Sequence, residues 1–183
     1  VGTLIRKKGV FQLAKMFNNL VEKYNQAELV LIGSDSSDLE TGSSSTWSLV
    51  EKMLSEKAKK RVSYLGKVPY ERVKDYIKNA HVCVFPSLAE TLGMVTIESM
   101  ALQKAVVNTN YGWALELIDH QENGYLIDPM DTGSYVATIE QLFDNTELVT
   151  EIGQKARIKI RKTFLIDDIV TENINFYKKL ISK

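Results

Sequence analysis

The chain has 183 residues, 44% hydrophobic and 25% charged, which suits a soluble globular domain with one buried core and is too short for two. Lysine plus arginine and aspartate plus glutamate number 23 each, so no net field argues for nucleic acid. No apolar run approaches the roughly 20 residues of a membrane span, and the opening residues lack the basic-then-apolar pattern of a signal peptide. The single cysteine, Cys83, lies inside an apolar run as a core residue, so a reducing cytoplasm is the expected compartment.

Taken in chain order, Val1, Gly2, Thr3 and Leu4 read as the end of a strand entering a loop, and the chain is expected to be a domain cut from a longer one. Arg6, Lys7, Lys8 and Gly9 form that loop. Val10, Phe11, Ala14, Phe17, Val21 and Tyr24 recur at steps of three and four, which predicts an amphipathic helix over 10–24. A strand over 29–32 follows. The polar stretch 33–46, with Gly42 and three serines, carries no apolar period and reads as a mobile surface insertion. Ser45 or Thr46 caps a helix running through Leu49, Met53 and Ala58.

A strand over 62–65 precedes Pro69, which suits the first turn of a helix through Val73, Tyr76 and Ile77. Strands over 82–85, 105–108 and 125–127 alternate with a short helix over 94–102. Helices over 132–143, 147–163 and 167–182 close the chain, with Phe164, Phe176 and Tyr177 as packing residues. Strands alternating with helices predict an α/β fold: one Rossmann-like, doubly wound parallel sheet of about six strands with closing C-terminal helices.

In such a sheet ligands bind beyond the carboxyl ends of the strands. After the strand 82–85, Gly93 lets the backbone approach a ligand, and the amides of the next helix make an anion site. Glu90 lies in the loop and Glu98 about one turn into the helix, so both carboxylates are expected to flank one pocket. A carboxylate repels phosphate but accepts from hydroxyls, which points to a nucleotide sugar. The plainer reading is that acids near a helix start are favoured by the macrodipole, worth about 0.3–1 kcal/mol. Arg6, Lys7 and Lys8 supply cations for a diphosphate at the same sheet edge.

Phe85, Pro86 and Ser87 with Glu90, Gly93, Glu98, Met100, Ala101, Gly112 and Glu116 resemble the donor domain of the retaining GT-B glycosyltransferases of group 1, or family 4. Lys8 and Gly9 resemble its phosphate loop, and Asn123, Gly124 and Pro129 flank its last strand. The resemblance covers essentially the whole chain and implies one half of a GT-B fold, whose N-terminal acceptor domain is the partner. It implies retaining transfer of a hexosyl group from a UDP-, GDP- or ADP-linked sugar to an acceptor hydroxyl, in synthesis of surface polysaccharide or glycoconjugate, without a metal. Residue by residue, Lys8 would hold the diphosphate and Glu90 the sugar hydroxyls, as the catalytic pair. Glu98 would accept from the ribose, Gly93, Met94 and Val95 would offer amides, and Gly66, Lys67 and Val68 would border the nucleobase.

This sequence departs from the pattern at Thr3, where the family usually has arginine; Arg6 is the candidate replacement. Gln103 and Ala105 replace the family's glycine and proline, and Trp113 its second glycine. His81 reads as structural, and His120 lacks ligands at metal spacing. Lys155, Arg157, Lys159, Arg161 and Lys162 form a solvated basic face, or in the sharper alternative a weak contact with an anionic membrane. Two other functions fit the same residues: a nucleotide-sugar epimerase of related architecture, and a non-catalytic nucleotide-binding or regulatory domain.

Overall fold

The structure is a computed structural model that describes residues 1–181. Helix α1 (Val10–Lys23) leads to strand β1 (Leu29–Leu31), then to α2 (Thr46–Met53), α3 (Glu56–Lys59) and β2 (Val62–Tyr64). Next come α4 (Tyr70–Asn79), β3 (Val82–Phe85), α5 (Met94–Ala101), β4 (Ala105–Thr109), α6 (Ala114–Leu117) and β5 (Tyr125–Ile127). Helices α7 (Thr132–Asp144), α8 (Thr146–Phe164) and α9 (Ile166–Ile181) close the described chain. Residue 182, the expected end of the last helix, lies outside the described residues.

All strand pairs are parallel. β1 pairs with β2, Leu29 opposite Val62, and β4 lies between β3 and β5. The expected six-stranded sheet is therefore two sheets, of two and three strands. Residues 1–4 are not a full strand: Gly2 N donates to Ile32 O and Leu4 N to Ser34 O, both at 2.8 Å, and Leu4 forms one bridge with Asp35. That contact depends on Gly33, where a Cβ would lie 1.9 Å from Gly2 O.

β4 is buried along its whole length, and its two faces serve different helix layers. Ala105 and Val107 pack with Met16 and Leu20 of α1 and with Tyr135, Ile139 and Leu142 of α7. Val106 packs with Val73 and Ile77 of α4 and Ile97 and Met100 of α5. Helix α8 joins both, Ile152 to the first cluster and Ala156 and Ile160 to the second. A third cluster sets Leu4 and Phe11, Ala14 and Phe17 of α1 against Val50, Leu54 and Ala58. β1 is covered less completely than an all-apolar strand predicts, with Val30 42% exposed.

Two expectations are corrected by local hydrogen bonding. The helix expected from 46 to 58 breaks at Leu54, which is extended, and Ser55 opens a new helix by accepting from Ala58 N. Asn18 of α1 stabilises the break, donating to Met53 O and accepting from Ser55 N, both at 2.9 Å. The segment 33–46 is braced rather than loose. Asp38, almost fully buried, accepts two bonds from the Arg6 guanidinium and one from Thr41 Oγ1 at 2.7 Å, and Asp35 accepts from Ser45 Oγ and Trp47 N.

The last helix overturns a further expectation. No described residue of α9 is buried; Ile166, Val170, Ile174, Tyr177 and Ile181 form an exposed stripe, and Phe176 is exposed as well. Phe164, at the end of α8, does pack against the second cluster.

Candidate functional site

Arg6–Lys8 makes a single 3-10 turn whose chain leaves through Gly9 in the left-handed region, at φ 70°. A side chain at Gly9 would place its Cβ 1.8 Å from Pro86 O, so only glycine lets this loop touch the one after β3. Lys7 O then accepts from Leu88 N at 2.7 Å and Ala89 N at 3.3 Å, fastening the two loops by their backbones. Across that seam Lys8 Nζ donates to Glu90 Oε2, an ion pair with side chains 28% and 20% exposed. Glu90 Oε1 accepts from Thr91 N at 3.1 Å.

Gly93, also left-handed at φ 66°, turns the loop into α5. The amides of Met94 and Val95 open that helix, ahead of Thr96 N, the first to donate to the Gly93 carbonyl. Lys8, Glu90, Val95, Thr96, Ser87 and Asn108 line a hollow of about 50 Å³ at this point. Small-molecule sites run to roughly 300 Å³ or more, so with the ion pair closed this space holds a few waters.

The floor of the hollow is polar, and sequence reasoning missed it. Asn108 Nδ2 donates to Thr96 Oγ1 at 2.8 Å, Asn108 Oδ1 accepts from Thr109 N, and Ser87 is buried beside them. The signal was an asparagine ending the apolar run Ala105, Val106 and Val107.

The other expected site residues are placed differently. Arg6 is not brought to the Lys8 and Glu90 hollow. Its guanidinium is spent on Asp38 and Glu40 and lies 4.5 Å from the Phe11 ring centroid, in a separate depression with Ile5, Leu39 and Leu88. Three acceptor atoms hold it there, away from the Lys8 and Glu90 hollow. Glu98 does not line the hollow with Glu90; its Oε1 accepts from Tyr70 Oη at 2.6 Å. Gly66, at φ 63°, opens the loop through Lys67 and Val68 to Pro69, the cap of α4, and its carbonyl accepts from Gly33 N.

The remaining polar groups are structural in their contacts. His81 Nε2 meets Leu142 O at 3.0 Å, and His120 Nδ1 accepts from Leu126 N at 3.0 Å. Burial pushes the Cys83 thiol up from its ordinary pKa. Of the basic face on α8, Lys155 pairs with Glu151 and Lys159 with Asp119.

With this geometry the similarity to other proteins has a structural meaning. The sequence profile described as Glycosyl transferases group 1 matches residues 1–159. The chain belongs to that family. A glycosyltransferase of Methanocaldococcus jannaschii is 28% identical over 179 residues, 97% of this chain and 43% of its own. The capsular polysaccharide biosynthesis glycosyltransferase CapM of Staphylococcus aureus is 25% identical over 186 residues, covering 100% of this chain and 46% of its own. The group 1 chain thus spans less than half the length of these relatives. Anabaena Alr3699/HepE, solved in complex with UDP, superposes with a TM-score of 0.80 at 24% identity, over 100% of this chain and 48% of its own. The shared architecture is the α/β fold of GT-B C-terminal domains, with parallel sheets and helices. Among the described residues no helix is long and apolar enough to cross a membrane.

Proposed function

We propose that this group 1 domain binds a nucleoside diphosphate sugar at the seam between the Lys8 loop and the start of α5, for retaining transfer of the hexosyl group to an acceptor hydroxyl. The observation that carries the reading is the Lys8 and Glu90 pair, held by backbone bonds beside the free amides of α5. A cation and helix amides suit a diphosphate, and a neighbouring carboxylate suits the hydroxyls of the transferred sugar. The UDP bound to Alr3699/HepE supports the donor class.

Because the hollow is small when the pair is closed, the donor must separate it. Lys8 then turns to the diphosphate and Glu90 to the sugar ring, each exchanging one charged partner for another. As the glycosidic bond breaks, Lys8 and the amides at Gly93, Met94 and Val95 hold the charge gathering on the leaving diphosphate. The departing phosphate takes the acceptor's proton on the face it leaves, which keeps the anomeric configuration.

The acceptor-binding partner is a second domain, the N-terminal half in the GT-B arrangement. Relatives more than twice as long and the exposed apolar stripe on α9 both support it. The domain alone then binds donor weakly and transfers nothing. Arg157, Arg161 and Lys162 are the cations left on α8 for contact with an anionic membrane surface.

Titration of the chain with UDP, GDP and ADP, followed by NMR shifts, tests the reading. One of the three should bind, and Lys8→Ala should weaken it by about 10- to 100-fold, the worth of a charge-assisted hydrogen bond. In the full-length enzyme Glu90→Gln should lower turnover more than nucleotide affinity. Binding of none of the three nucleotides would overturn the proposal in favour of a domain without donor chemistry.

A further inference from the structure

Tyr70 is the first residue of α4, directly after the loop from Gly66 to Pro69, and it is 71% exposed. An aromatic ring so exposed stabilises the core little, yet its hydroxyl makes a short bond of 2.6 Å to Glu98 Oε1. The geometry is that of a phenol donating to a carboxylate, among the stronger neutral-to-charged bonds. The same bond raises the Tyr70 pKa, so the phenol stays a donor at neutral pH.

Glu98 sits one turn into α5, and a free glutamate there has three rotatable bonds. Tyr70 takes one of about four lone-pair positions of the carboxylate and so holds it in one orientation, with Oε2 left for other donors. The bond also joins two elements: α5, whose first turn borders the Lys8 and Glu90 hollow through Val95 and Thr96, and α4, which directly follows the Gly66 loop. The resemblance to the group 1 family gives Glu98 the ribose, and on the donor reading above a nucleotide held at the start of α5 sets its ribose at this carboxylate.

We infer that Tyr70 is a positioning residue for nucleotide recognition: it fixes Glu98 so that the carboxylate accepts from the vicinal ribose hydroxyls, favouring ribonucleotides over 2′-deoxyribonucleotides. The inference rests on the donor reading above and names the side chain that makes Glu98 selective. Tyr70 acts through Glu98 and touches no reacting atom.

The test is a titration of the unsubstituted chain, Tyr70→Phe and Glu98→Gln with UDP, GDP, ADP and their 2′-deoxy counterparts. Phenylalanine keeps the ring and removes only the donor, and an unchanged thermal midpoint shows that the fold is intact. Tyr70→Phe should raise Kd for the bound ribonucleotide about three- to tenfold and for its 2′-deoxy form less than about twofold, as loss of one hydrogen bond predicts. Equal weakening of both forms, or no weakening of either, overturns the inference. If Glu98→Gln selectively weakens the ribonucleotide while Tyr70→Phe does not, Tyr70 alone loses its role and the donor reading stands. Failure of the unsubstituted chain to bind any of the six overturns both.

Discussion

Gly9 decides whether the two halves of the site meet. Its left-handed backbone and its contact with Pro86 O exclude every other residue. Gly9→Ala must adopt a strained φ and push the Pro86 carbonyl away, at a combined cost of about 3 kcal/mol. Denaturant unfolding should show that loss, and nucleotide titration should show a weakened site, because Lys8 and Glu90 would no longer share a seam. The meeting of Lys8, Glu90 and Gly93 was legible in the sequence, because alternating strands and helices set two charged loops at one edge of a parallel sheet. The Asn108 and Thr96 floor was not, since two residues 12 apart meet only through the pairing of β3 with β4. The partners of Arg6 were hidden for the same kind of reason: Asp38 and Glu40 lie in a loop whose path no local pattern reveals.

At the scale of elements, the segment 33–46 shows how a polar stretch without periodicity becomes ordered. The Arg6 guanidinium, then Thr41, hold the Asp38 carboxyl down at about 2, against 3.8 for the free group. The folded state therefore holds fewer protons on Asp38 than the unfolded state does. The stabilisation is complete above pH 4 and is lost as pH falls toward 2. Thermal midpoints measured between pH 5 and 2 should fall across that window, and Asp38→Asn should flatten the fall while lowering the midpoint at neutral pH. Helix α8 offers a second test. A glycine inside a helix ordinarily gains about 1 kcal/mol on replacement by alanine. At Gly153 a Cβ would stand 2.3 Å from Gln103 O, so Gly153→Ala should instead cost about 1–3 kcal/mol, as overpacking does. Periodicity located α1, α4 and α8 because each buries one stripe; α6, a single turn, is too short to show a period.

Across the whole molecule, the parallel α/β plan was legible, since β4 and its neighbours are apolar runs between helices. The division into two sheets was not, because residues 1–4, apolar enough to read as a strand, add only one bridge and two backbone bonds beside β1. The closing helix was misjudged because an amphipathic pattern says that a face is covered without saying by what. Since α9 buries none of its described side chains, a chain ending at Leu165 should unfold within about 1 kcal/mol of the full chain, little apolar area being lost. A much larger loss in urea unfolding would show that α9 supports the fold.

The bonds from Leu88 and Ala89 to Lys7 make the two rims of the cleft a single rigid frame. Opening it for a guest therefore requires only the swing of two side chains, a motion of picoseconds to nanoseconds, rather than the slower travel of a loop. On the proposed donor reading, capture of a nucleotide sugar at this seam is then set by how fast it arrives.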